Sequence, residues 1–247
     1  MIQISHLSKW YGDVQALDDC NLSLKRGDVA VLCGPAGAGK STLIKTINGI
    51  EGFQRGEITV GARTLKPGRR VASEHRVRVG VVLQGVHLFS HLTILENLDL
   101  GQTQVLRRSR DEASLRSRAL LGRVGLRACE GKYPHELSRA QQQCAGMART
   151  LVMDPEVLLI DDPTAGIEVE RAGSVLGLIA DLAQEGMTML IVTHEYGFAR
   201  EVADRMLFMA GGRILDDRPP AQFFDTAARY EDEREHAFLA RTLVHCG

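Results

Sequence analysis

Nowhere in this 247-residue chain is there an apolar run approaching the length of a membrane-spanning helix, which takes about 20 residues. The opening residues, MIQISHLSKWYG, alternate apolar and polar from the start and hold no apolar signal region. Cysteine is sparse and placed for no framework. Cys20, Cys33, Cys129, Cys144 and Cys246 are scattered, odd in number and without a C-x-x-C pair. That pattern suits free thiols in a reducing compartment and argues against a disulfide scaffold or a zinc site. Neither sign of charge dominates: 30 Lys plus Arg face 31 Asp plus Glu, so bulk charge points to neither nucleic acid nor an anionic membrane. Long low-complexity tracts are missing too. The chain is expected to be cytoplasmic and to meet a membrane only through a partner.

Short runs of Val, Ile and Leu recur instead, at VAVLC (29–33), VGVVL (79–83), VLLI (157–160) and MTMLIVT (187–193). Helical patterns between several of them predict an α/β fold with a mostly parallel sheet. The segments 2–8, 14–24 and 56–65 alternate in polarity, which predicts a small antiparallel sheet beside that core. Gly211 and Gly212 between two strand-like runs (205–217) predict a hairpin. Residues 86–152 are helical in pattern and rich in Arg and Gln. They read as a helical subdomain inserted into a core of 1–85 and 153–247, with the Arg-rich run 107–118 as a solvated helix face.

The most specific feature is GPAGAGKST (34–42), a complete phosphate-binding loop between a buried strand and a helix. Gly34, Gly37 and Gly39 let the backbone turn its N–H groups toward phosphates, and Pro35, Ala36 and Ala38 complete the loop. Lys40 can reach the β- and γ-phosphates, Ser41 can offer its hydroxyl to magnesium, and Thr42 continues into the helix. A nucleoside triphosphate with Mg²⁺ is the implied ligand. Further on, LLIDDPT (158–164) is an apolar strand ending in two acids. A carboxylate so placed orients the magnesium, which fits Asp161; Asp162, one residue on, would polarise the attacking water.

The order of P-loop, Gln84 after a strand, LSRAQQQ (137–143), LLIDD and VTHE (192–195) resembles the ATPase subunit of an ATP-binding-cassette transporter. The likeness runs from about residue 2 to about 243, and the stretch 193–209 most resembles the importers of polar amino acids. The resemblance implies ATP as the nucleotide and a second cassette subunit, identical or not, as partner. It also implies transmembrane permease subunits, a substrate-binding protein outside the membrane and a peripheral seat on its cytoplasmic face; no nucleic acid is implied. It shows no room for the extra regulatory domain of sugar and some methionine importers. By the same resemblance Tyr11 stacks on adenine, and Gln84 touches magnesium and the attacking water. Residues 86–93 form the groove for the permease, and His194 contacts the γ-phosphate. Ser138, Arg139, Ala140 and Gln141 stand at the signature segment, which faces the partner's ATP; Ser138 and Gln141 predict a capping box.

Five positions depart from the family pattern. Arg139 and Ala140 replace two glycines where backbone must approach phosphate, which restricts φ and fills space. Arg139 could instead supply positive charge to the transition state. Cys144 stands in place of an arginine, either as an inert replacement or as a thiol activated near a helix N-terminus. Asp162 replaces glutamate and withdraws the carboxylate by roughly 1 Å, which can cost about 10²-fold in rate. Glu168 takes the place of the aspartate that communicates across the dimer. ATP binding with slowed hydrolysis is expected. The alternative is a divergent regulatory subunit with little turnover.

Overall fold

The computed structural model describes residues 1–225, so Cys246 and the final stretch of the family resemblance lie outside the described residues. An N-terminal hairpin, β1 (Ile2–Tyr11) and β2 (Val14–Leu24), is followed by β3 (Val29–Cys33), α1 (Lys40–Asn48), β4 (Arg55–Val60) and β5 (Arg63–Leu65). Next come α2 (Ser73–Arg78), β6 (Val79–Val82), α3 (Ile94–Gln104), α4 (Arg110–Arg123) and α5 (Arg139–Leu151). The chain returns through β7 (Val157–Asp161), α6 (Val169–Gln184), β8 (Thr188–Val192) and α7 (Tyr196–Val202). The described part ends with β9 (Arg205–Ala210), β10 (Arg213–Arg218) and α8 (Pro220–Phe223).

Two sheets form. One is four-stranded and antiparallel, in the order β2-β1-β4-β5; the other is six-stranded, in the order β10-β9-β3-β8-β7-β6. Within the larger sheet the pairs β9–β3, β3–β8, β8–β7 and β7–β6 are all parallel, and β10 returns antiparallel along β9. Strands covered on both faces read as unbroken apolar runs, and β3, β7 and β8 are buried at every residue. Their side chains divide by alternation. Val29, Val31 and Cys33 enter one core with Leu158, Ile160, Met189 and Ile191, packed among helical residues such as Met147, Ala148 and Ile179. Ala30 and Leu32 enter the other with Leu159, Leu190, Leu43 and Ile47, facing α1 and the antiparallel sheet. β3, the strand that leads into the P-loop, is thus gripped from both sides near the middle of the sheet.

Between β6 and β7 the chain is helical. Thr93, Ser109 and Ser138 each cap a helix by accepting from the backbone N–H three residues on. Most of the Arg-rich run is exposed, as a solvated face would be, but Arg108 is an exception. Arg107 has a left-handed backbone (φ 59°), and α4 begins only at Arg110. Arg108 turns inward: its guanidinium donates to the Val152 carbonyl (2.8 Å) and to Gln102 Oε1 (2.9 Å), and it pairs with Asp154. Arg116 reaches the same carboxylate at 3.0 Å. Arg108 and Arg116 fasten the start of α4 to the segment before β7, a role that a charge count cannot reveal.

Candidate functional site

The P-loop leaves the C-terminal end of β3 and runs into α1. Three of its glycines have left-handed φ: Gly34 at 141°, Gly37 at 78° and Gly39 at 103°. Their reasons differ. A Cβ on Gly34 would overlap the Met209 carbonyl of β9, and one on Gly39 would come within 2.6 Å of the Ala16 carbonyl. Gly37 has open space around it and answers only to backbone conformation. The loop is also tied from outside, because Gly212 N–H, in the β9–β10 turn, donates to the Ala38 carbonyl at 3.0 Å.

A cavity of about 340 Å³ opens over this loop, lined by Ala36 to Thr42 and, across from them, by Gln84, Asp161, Asp162 and His194. Lys40 Nζ donates to the Gly34 carbonyl (2.7 Å) and the Pro35 carbonyl (2.9 Å). Burial pushes its pKa down, opposed by the negative potential of Cys33, Asp161 and Asp162. Ser41 Oγ donates to Asp161 Oδ1 at 3.1 Å, joining the start of α1 to the end of β7. Asp161 is buried. Among the described residues no cluster of three His, Cys, Asp or Glu could hold a metal ion by itself. The Ser41 hydroxyl and the Asp161 carboxylate nevertheless form a hard-oxygen pair beside an N–H-lined loop. That donor set fits Mg²⁺, which keeps several waters and takes substrate phosphates as remaining ligands.

Asp162 has φ 48°, and its N–H donates to the Val192 carbonyl of β8 at 2.8 Å. Aspartate is among the few L-residues that tolerate this left-handed region, so the residue suits its backbone. Burial raises its carboxyl pKa; His194 opposes that, while Asp161 and Glu195 add to it. A carboxyl shifted upward beside a phosphate loop is the state wanted of a group that must take a proton. His194 is exposed and sits edge-on to Tyr196, with ring centroids 6.4 Å apart. Ala16 also lines the cavity; with no functional group, it carries no signal in the sequence.

Other expected site residues stand apart from this cavity. Tyr11 is not among its lining residues; the ring is partly exposed, with Lys9 Nζ 4.2 Å from its centroid. Ser138, Arg139, Ala140 and Gln141 lie at the start of α5 and do not line it either. Their capping box is complete: Gln141 N–H donates to Ser138 Oγ (3.3 Å) and Ser138 N–H to Gln141 Oε1 (2.9 Å). Arg139, exposed, points one guanidinium nitrogen at the Gly166 carbonyl of its own chain (3.4 Å). Arg139 therefore reaches the turn that follows the acidic strand, two residues before Glu168. Ala140 is buried, and Glu168 pairs locally with Arg171 at 3.2 Å. Cys144 is no activated thiol: it is buried in the helical core, and desolvation raises its pKa.

Beyond Gln84, Asn97 holds residues 86–93 by accepting from Phe89 N–H (2.8 Å) and donating to the carbonyls of Phe89, Leu92 and Thr93. Arg149 lies over the exposed Phe89 ring at 5.6 Å and donates to the His87 carbonyl at 2.7 Å. Beside them is an apolar groove of about 600 Å³, whose lining includes Val81, Phe89, Leu100, Val105 and Met153.

The chain has relatives among known proteins both by sequence and by fold. The family model described as ABC transporter matches residues 17–165. The glutamate/aspartate import ATP-binding protein GltL of Escherichia coli K12 is 47% identical over 243 residues, covering 98% of this chain and 100% of that protein. The glutamine transport ATP-binding protein GlnQ of Bacillus subtilis is 42% identical over 245 residues, with 99% and 100% covered. Among solved structures, cbiO1 of Clostridium perfringens, part of the ABC transporter complex cbiONQ, superposes with a TM-score of 0.79 at 30% identity, covering 90% of each chain. A dimeric ATP-binding cassette in a post-hydrolysis state with ADP and Pi superposes with a TM-score of 0.78 at 27% identity, covering 89% of this chain and 99% of that one.

Proposed function

The chain belongs to the ABC transporter family as an ATP-binding, ATPase subunit, and from that premise we propose that it energises the import of polar amino acids with slowed hydrolysis. The substrate class rests on near full-length identity to subunits named for glutamate/aspartate import and glutamine transport. The observation that carries the site is the Ser41–Asp161 hydrogen bond, which joins P-loop and acidic strand over one cavity.

In this reading residues 34–42 cradle the ATP phosphates, and Lys40 exchanges its hold on two loop carbonyls for phosphate oxygens. Ser41 and Asp161 would hold Mg²⁺, with Gln84 beside them; the ion would neutralise charge on the phosphates. Asp162 takes the proton of the attacking water, and His194 meets the γ-phosphate side. Tyr11 stacks on the base with the ring face that Lys9 leaves open.

Residues 138–141, which do not line their own chain's cavity, serve the ATP of a second cassette subunit. Residues 86–152 form the helical subdomain, and the groove beside Phe89 receives a permease segment at the cytoplasmic face. A substrate-binding protein outside the membrane selects the amino acid.

The test is phosphate release by the complex reconstituted with permease and binding protein, with and without glutamate or aspartate. Stimulation by either amino acid is expected, together with faster turnover in an Asp162→Glu variant. Equal turnover of the two chains would refute the slowed step, and no response to polar amino acids would refute the substrate class.

A further inference from the structure

A second pocket, of about 360 Å³, lies away from the phosphate loop, in the corner between β5 and α2. Its lining includes Arg63, Lys66, Arg69, Arg70, Thr64 and His75, with no acidic residue. Local sequence builds it. Pro67 and Gly68 (φ 69°) occupy the middle of a turn closed by Arg69 N–H donating to the Lys66 carbonyl, a sequence suited to a type II turn. The turn brings Lys66 and Arg69 to one mouth. Arg63 pairs with Glu74 at 2.6 Å, whereas Lys66, Arg69 and Arg70 have no ion pair among the described residues.

His75 makes this more than a basic surface. Its side chain is buried (residue exposure 1%), and Nε2 lies 2.8 Å from the Ile47 carbonyl. A carbonyl only accepts, so Nε2 carries the proton. The other ring nitrogen, Nδ1, is buried with no hydrogen-bond partner. An unpaired buried polar atom costs free energy, and it requires a reason when its residue lines a cavity.

We propose that this corner binds a compact, soluble, phosphate-bearing anion, held by Lys66, Arg69 and Arg70, with His75 taking up a proton on Nδ1 as the anion enters. Burial, aided by the positive fields of Arg78, Arg63 and Arg76, pushes the His75 pKa below its ordinary value, against the Ile47 hydrogen bond. Of the neighbouring elements, α2 brings Glu74, Arg76 and Arg78, β5 brings Arg63, α1 presents the Ile47 carbonyl, and β6 (VGVV) bears no charge. A bound anion reverses the balance by favouring the imidazolium, so binding tightens as pH falls. The site is connected at both ends. His75 grips the C-terminal turn of α1, which begins at Lys40, and α2 presents Arg76 and Val77 to the apolar groove.

The test is pyrophosphate titration of histidine-labelled full-length chain, with the P-loop saturated by ADP and Mg²⁺. The His75 ring signal is read by NMR and identified by its loss in His75→Asn. Expected are a saturable shift, tighter binding at about pH 6 than at about pH 8, and at least about tenfold weaker binding in the Arg69→Ser/Arg70→Ser double variant with ADP affinity unchanged. A shift matched by sodium chloride of equal ionic strength, or one untouched by the double variant, overturns the site. A response to phosphatidylglycerol vesicles but not to pyrophosphate overturns the soluble ligand.

Discussion

The phosphate loop and the start of α5 are the two places where the proposed function brings backbone N–H groups close to phosphate, yet they differ in tolerance. At the loop, packing leaves no choice: Gly34 is pressed against the Met209 carbonyl and Gly39 against that of Ala16. At α5, the capping box of Ser138 and Gln141 holds the helix start, while Arg139 points outward and Ala140 packs inside. Where neighbouring backbone encloses a glycine, the side chain is excluded by the fold itself. Where only a ligand would exclude it, the fold accepts a substitution and the consequence falls on function.

The largest break in this comparison is expected from Gly34→Ala. Overlap with β9 plus a forced φ should cost about 4 kcal/mol in urea unfolding and abolish ATP binding. Gly37→Ala, with open space around it, should cost only about 1 kcal/mol. Next comes Asp162→Asn, expected to lower phosphate release by about 10²- to 10³-fold while nucleotide affinity holds.

The wild-type pH profile sharpens that second test. Because the Asp162 pKa is raised, the acid limb of hydrolysis should lie above the ordinary carboxylate range and vanish in the Asn variant. The sign for stability is opposite. A carboxyl with a raised folded-state pKa favours the fold below its unfolded pKa and loses that contribution as pH rises through the folded value.

Ser138→Ala should cost about 1 kcal/mol through loss of the cap, seen as a shifted denaturation midpoint. Arg139→Gly should change stability by less than about 1 kcal/mol, since it removes one long, exposed hydrogen bond. If its phosphate release rises, the side chain obstructs the partner's ATP; if it falls, the Arg139–Gly166 contact aids turnover.

Much of the core was legible because strands covered on both faces must be continuous apolar runs, as β3, β7 and β8 are. Gly34 to Thr42 and Asp161 were legible because their chemistry is tied to spacing. Other features depend on contacts distant in sequence. Arg108 belongs to Gln102, Val152 and Asp154, and no local pattern distinguishes it from its solvated neighbours. Ala16 enters the cavity through a hairpin some twenty residues before the loop, and the left-handed φ of Asp162 shows only once β7 meets β8. Cys144 was ambiguous for a similar reason, since activation depends on exposure and burial here decides against it.

The walls of the phosphate loop are made late. Residues 34–42 emerge early in synthesis, but the Met209 carbonyl that backs Gly34, the Gly212 N–H that holds Ala38 and the flanking strands β8 and β9 all come from residues 188–212. A chain still on the ribosome, with those residues in the exit tunnel, carries the motif without the shape. Nucleotide capture by a nascent chain should therefore switch on only after β9 and its turn have emerged, which makes it a clock for the closing step of folding.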